Sequence, residues 1–194
     1  MTSTATAQTF AHTDSEIQSF IDGLTTQKVD NSYYLALLIG SNKRAKKKFL
    51  DDVAKKSGSV TSINLGAVIS SDEEESRANI DTLFTNLTKS DKYIYLEDGD
   101  AFEGVYTSFS YSTERYATPQ ERYFIKKVQE SEKIIFLDIK DEYAASNTLK
   151  RFAQTIITFE EPKSFIDKIF YKMSKVHVHG SDFESKRRVA GSRL

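Results

Sequence analysis

The sequence contains no cysteine. Disulfide frameworks, thiolate metal sites and thiol nucleophiles are therefore excluded. Histidine is scarce, and His12, His177 and His179 all lie towards the ends of the chain, which argues against a histidine-based catalytic core. No apolar run approaches the roughly 20 residues needed to span a bilayer. Met1 to Thr13 is rich in Thr, Ala and Ser and lacks a basic segment followed by an apolar one, so it does not read as a secretory signal. Neither sign of charge is in excess: 27 Lys and Arg stand against 28 Asp and Glu, so no global field points to nucleic acid or membrane as a partner. The default expectation is a cytoplasmic protein. Proline occurs only at Pro119 and Pro162, each where a helix is expected to begin.

What is present suffices for one domain. A chain of 194 residues with 39% hydrophobic side chains can bury a sizeable core. Composition divides it into a disordered N-terminal tail (1–12), an α/β domain (13–175) and a flexible basic C-terminal tail (176–194) that carries Lys186, Arg187, Arg188 and Arg193.

Within the domain, Thr13-Asp14-Ser15-Glu16 has capping-box spacing ahead of Ile17, Phe20, Ile21 and Leu24 at helical intervals. Short apolar runs at 33–39, 59–65, 93–96, 134–137 and 155–159 read as strands. Helical patterns separate or follow them. One carries Phe49, Leu50, Val53 and Ala54; another starts at the acids Asp72 to Glu75 and continues through Ile80, Leu83, Phe84 and Leu87. A third begins at Pro119, a short one covers 144–152, and a last one begins at Pro162. Five strands alternating with helices predict a parallel sheet sandwiched by helices. Residues 103–118 read as a long surface loop in which Phe109, Tyr111 and Tyr116 form a candidate binding surface or fold on one another.

Two charged segments sit where such a sheet would place a ligand. Glu97, Asp98 and Asp100 follow the strand at 93–96, at the carboxyl edge where open α/β sheets bind ligands. The run Lys43 to Lys48 opens a helix directly after the strand at 33–39. Cations there oppose the helix dipole unless an anion binds or acids compensate. The acids are candidates for a divalent cation with oxygen ligands. Alternatively they pair with the lysine cluster, in a salt-bridge network that replaces nucleotide and metal.

From Tyr33 to Pro162 the order of motifs resembles the AAA+ ATPase module, a P-loop NTPase fold. Leu38 to Lys47 stands where that family has its phosphate loop. Asp98 to Thr118, with Gly99-Asp100-Ala101-Phe102 and Glu114-Arg115-Tyr116-Ala117, is similar to the acidic motif and following loop of AAA+ proteins associated with contractile injection systems. Leu149-Lys150-Arg151-Phe152 and Glu160-Glu161-Pro162 resemble the arginine-finger region and the exit from the last core strand. The resemblance implies ATP and Mg2+ as cofactors, Gly40, Lys46 and Lys47 at the phosphates, Glu97 and Asp98 at the metal and the attacking water, and Lys150 and Arg151 acting in trans on a neighbouring subunit.

The sequence departs from that pattern at each catalytic position. A phosphate loop of the form G-x-x-x-x-G-K-[ST] needs glycines so that backbone N–H groups approach the phosphates. Gly40 and Lys46 match, but Ala45 replaces the second glycine and Lys47 the metal-binding hydroxyl. The strand-end acids are reversed, Glu97 before Asp98. Asp138 to Lys140 fills the place of a polar sensor, and Asp72 to Glu75 the place of an aromatic pore loop that grips polypeptide. Only the helix from Pro162 stands where a helical lid is expected. The expectation is a degenerate, non-catalytic module acting on protein partners, as a homo-oligomer or beside an active AAA+ protein, with no resident cofactor. An atypical ATPase and a nucleotide-binding sensor are the alternatives.

Overall fold

The computed structural model describes residues 8–11, 19–24, 33–104, 117–159 and 176–180. The strands are β1 (Gln8–Ala11), β2 (Tyr34–Ile39), β3 (Thr61–Asn64), β4 (Tyr93–Glu97), β5 (Ile134–Ile139), β6 (Thr155–Phe159) and β7 (Val176–Gly180). Residues 19–24 are helical (α1), followed by α2 (Lys43–Ser57), α3 (Glu73–Asn86), α4 (Ala101–Gly104), α5 (Pro119–Glu130) and α6 (Asn147–Phe152). The capping box Thr13 to Glu16 expected to open α1, the expected helix from Pro162, the aromatic loop residues Phe109, Tyr111 and Tyr116, and the basic residues Lys186 to Arg188 lie outside the described residues.

The sheet runs β1-β7-β6-β2-β5-β4-β3. Its five-stranded part, β6-β2-β5-β4-β3, is parallel throughout, as the alternation of strands and helices predicts. The sheet also extends beyond that expectation. β7 pairs antiparallel with β6, and β1 antiparallel with β7, both from segments the sequence assigns to tails. His177 and His179 thus belong to a strand. The signal was a four-residue alternation, Val176-His177-Val178-His179, too short to stand out beside a basic terminus. Pairing with β7 gives β6 a partner on the side that would otherwise be a bare sheet edge.

Alternation along each strand sorts the core into two layers. Leu35, Leu37, Ile39, Ile94, Leu96, Ile135 and Leu137 face α3, α5 and α6, where Ile80, Leu83, Phe124, Val128 and Leu149 close the layer. Tyr34, Ala36, Leu38, Tyr93, Phe136, Ile157 and Phe159 face α1 and α2, through Phe20, Ile21, Leu24, Phe49 and Val53. β2 is fully buried along its length because both layers cover it. Side-chain caps set where the helices begin: Asp72 for α3, Thr118 for α5 and Ser146 for α6, each accepting a backbone N–H three residues on. Among the described residues no helix is long and apolar enough to cross a membrane.

Candidate functional site

β2, β4 and β5 all end at the same edge of the sheet, with β5 between the other two. Three residues, Gly40, Ser41 and Asn42, separate β2 from α2. Gly40 has φ +126°, and a Cβ there would lie 2.0 Å from the Phe159 carbonyl oxygen, so the turn presses against the end of β6 and admits only glycine. Asn42 is buried and caps α2, its Oδ1 accepting the Ala45 N–H at 3.1 Å. The Lys46 N–H donates to the Asn42 carbonyl at 3.1 Å, and the Lys43 N–H to that of Ser41 at 2.8 Å. Residues that would form an open phosphate loop are therefore the first turn of a helix. The amides of Lys43, Ala45 and Lys46 bond within the chain rather than facing outwards.

Lys46 is buried, with only 3% of its side chain exposed. Its Nζ donates to Asp138 Oδ1 and, at 3.1 Å, to the Ile139 carbonyl. The other oxygen of Asp138 accepts the Tyr95 hydroxyl at 2.8 Å. Burial pushes the Lys46 pKa down, opposed by the hydrogen bond and charge of Asp138. Burial also pushes the Tyr95 phenol up, and its bond to Asp138 adds to that shift. Tyr95, Asp138 and Lys46 thus form one polar network beneath the start of α2, with Lys46 buried and the other two partly buried.

The strand-end acids lie elsewhere. Glu97 accepts the Ser62 hydroxyl at 2.5 Å, on the β3 side. Asp98, at φ +61°, pairs with Lys140 Nζ at 2.8 Å. Asp100 accepts the Lys140 backbone N–H at 3.0 and 3.1 Å. Between them the Gly99 N–H donates to the Asp138 carbonyl at 2.8 Å, and a Cβ on Gly99 would stand 2.6 Å from that same oxygen. The turn after β4 is therefore strapped to the end of β5.

This corrects the expected pairing. The lysine cluster does not pair with Glu97, Asp98 or Asp100 through direct ion pairs among the described residues; Lys46 takes Asp138 and Lys47 takes Asp51, one helical turn on. The three acids do not converge on a cation either, and among the described residues no group of three His, Asp or Glu side chains is placed to hold one. Each acid has a nearer donor. Lys150 and Arg151 occupy the last turn of α6, where cations suit the helix dipole.

From the sequence Asp138 and Lys140 stand out only as residents of the sensor position, and Tyr95 only as a strand residue. A signal existed. In IIFLDI, alternation puts Asp138 on the face of Ile134 and Phe136, the face α2 covers. Tyr95 is opposite Phe136 in the register, so Asp138 is its diagonal neighbour on one face.

No protein-family model matches the sequence, and no curated protein matches it. Among solved structures, a katanin structure aligns with a TM-score of 0.52 at 14% identity, covering 84% of this chain and 56% of that one. The AAA domain of FIGL-1 in complex with ADP aligns at 0.49 and 12% identity, covering 82% and 57%. A Rhizobiales Trip13 aligns at 0.46 and 12%, covering 80% and 69%. The chain spans little more than half of the katanin and FIGL-1 chains it matches. The likeness to katanin and the parallel five-stranded sheet give this chain the fold of the AAA+ large α/β subdomain.

Proposed function

We propose that this chain is a non-catalytic AAA+-like module, serving as scaffold, adaptor or regulator in a protein assembly. One observation carries the reading: the phosphate-loop lysine, Lys46, is itself buried and spent on an internal, partly buried carboxylate beneath a helix that begins three residues after Gly40. A nucleoside triphosphate needs outward-facing amides and a free lysine there, and Mg2+ needs a hydroxyl where Lys47 stands. The residues present do not fit that cofactor.

Partners in this reading are other proteins: further copies of the chain, or an active AAA+ protein in a mixed ring. Katanin, which shares the fold, is described as self-assembling. The sequence resemblance to AAA+ proteins of contractile injection systems makes such an assembly, inside the cytoplasm, the first place to seek a partner by copurification.

Thermal unfolding with and without millimolar ATP and Mg2+ tests the proposal, with Lys46→Ala as control. A ligand at about a hundredfold its Kd would stabilise the protein by about 2.7 kcal/mol, or about 5–10 °C for a domain of this size. The expected result is no shift and no phosphate release. A rise abolished by Lys46→Ala would replace the proposal with a nucleotide sensor, and phosphate release with an ATPase.

A further inference from the structure

We propose that Lys46 and Asp138 condense into an amide crosslink within the chain, with the Tyr95 hydroxyl polarising the carboxyl group that is attacked. The proposal rests on the reading of Lys46 as occupied inside the protein, and takes its contact with Asp138 from an ion pair to a covalent bond.

Among the described ion pairs this one alone has an amine shut off from water. The Lys46 side chain is 3% exposed, against 26% to 76% for the other paired lysines. Both reacting groups are placed by the backbone around them. Lys46 stands in the first turn of α2, whose start the Asn42 cap fixes, and its Nζ also donates to the Ile139 carbonyl at 3.1 Å. Asp138 is set by the register of β5 against β2 and by the Gly99 N–H, which donates to its carbonyl at 2.8 Å. Its Oδ1 accepts from Lys46, and its Oδ2 from the Tyr95 hydroxyl at 2.8 Å. Well-oriented groups within one molecule react as though at roughly 10⁵–10⁸ M. That offsets the preference of dilute acid and amine to stay apart in water.

An amine attacks only in its neutral form. Burial favours that form of Lys46, and the Asp138 carboxylate, through Oδ1, receives the proton along the hydrogen bond they share. Nζ then adds to Cγ of the carboxylic acid. Negative charge developing on Oδ2 is met by the Tyr95 O–H, a phenol that burial keeps protonated. Nζ passes a second proton to Oδ1, the bond from Cγ to Oδ1 breaks, and one water leaves. The step consumes no oxidant, metal or nucleotide. Asp138 is 17% exposed, which gives the water a way out. The product is neutral, so a poorly solvated pair of charges is replaced by an amide.

The test is mass spectrometry of the purified full chain after denaturation, on the intact protein and on its protease fragments. The expected mass is one water below that of the sequence, with one fragment carrying the segments around Lys46 and Asp138 joined together. Lys46→Met and Asp138→Ala should each show the full mass of their own sequence. Both should migrate more slowly on a denaturing gel than the wild type, in which residues 92 apart are tied. In timed cell-free synthesis Tyr95→Phe should close the bond about a hundredfold more slowly while keeping the wild-type circular dichroism spectrum. A folded wild type of full mass overturns the proposal. So does a water loss that maps to any other pair of residues or survives Lys46→Met, and so does a Tyr95→Phe chain that closes at the wild-type rate. The fragment map uses the wild type alone, so it decides even where a variant fails to fold. A pair that never condenses would leave the non-catalytic reading standing, whereas a melting temperature raised by ATP and Mg2+ would fail that reading whatever the mass.

Discussion

At the scale of residues, Lys46 decides most about the site. Its charge is buried and its partners are fixed: Asp138, which Tyr95 holds from the other side, and the Ile139 carbonyl. Removing one member of a fully buried pair costs about 3–5 kcal/mol; Asp138 is partly exposed and keeps the Tyr95 hydroxyl, so the lower end of that range applies here. Lys46→Met is therefore expected to lower stability by that order in urea unfolding. Lys46→Met combined with Asp138→Leu should cost clearly less than the sum of the single changes, because neither charge is then stranded. Asp91 offers a pH test away from the site. Hydrogen bonds from the Thr88 hydroxyl, the Thr61 hydroxyl and the Thr88 backbone N–H hold its carboxyl at about 2, below the ordinary 3.8. The unfolded chain binds this proton first as pH falls, so the contribution is whole above about 4 and lost by about 2. Asp91→Asn should lower stability above about pH 4 and flatten the acid limb in that window, so that variant and wild type converge near pH 2 in chemical denaturation.

At the scale of elements, the β2–α2 turn is held at both ends. Gly40 cannot carry a side chain, since its φ is +126° and the Phe159 carbonyl fills the space. Gly40→Ala should cost on the order of 3 kcal/mol through strain and displacement of β6, measured by chemical denaturation. Asn42→Ala removes the cap of α2 and should cost about 1 kcal/mol. The loop itself holds the reason that repairing the motif is not enough. Ala45→Gly with Lys47→Thr rewrites the consensus, but Asp138 and Tyr95 remain in place to hold Lys46. Phosphate release by that double variant is expected to stay at background. These features had unequal visibility. The missing second glycine at Ala45 and the misplaced Lys47 were plain in the sequence. The helix start at Lys43 was legible only as a basic helix end, because the cap at Asn42 depends on a turn shaped by Gly40 against β6.

At the scale of the whole molecule, the parallel sheet and its two covered faces followed from local pattern. Each strand in the five-stranded part is a short apolar run, and each helix between them has one apolar face, so burial can be satisfied by few arrangements. The spacing of Ile80, Leu83 and Phe84 on α3, or of Phe124 and Val128 on α5, requires nothing from elsewhere in the chain to be read. Gly40 was legible for the same reason, since a lone glycine after a buried strand marks a turn. What the sequence by itself determined was therefore the identity of the elements, their alternation and the loss of the phosphate-loop signature. Tertiary structure decided which charge meets which. Lys46 and Asp138 are 92 residues apart, and their meeting depends on β2 and β5 pairing in parallel with Leu38 opposite Asp138. A slip of one residue would turn Asp138 to the other face of the sheet and leave Lys46 without it. The addition of β7 to β6, and of β1 to β7, was likewise decided by the fold, because an unpaired edge is filled by hydrogen bonds that any compatible short segment can supply.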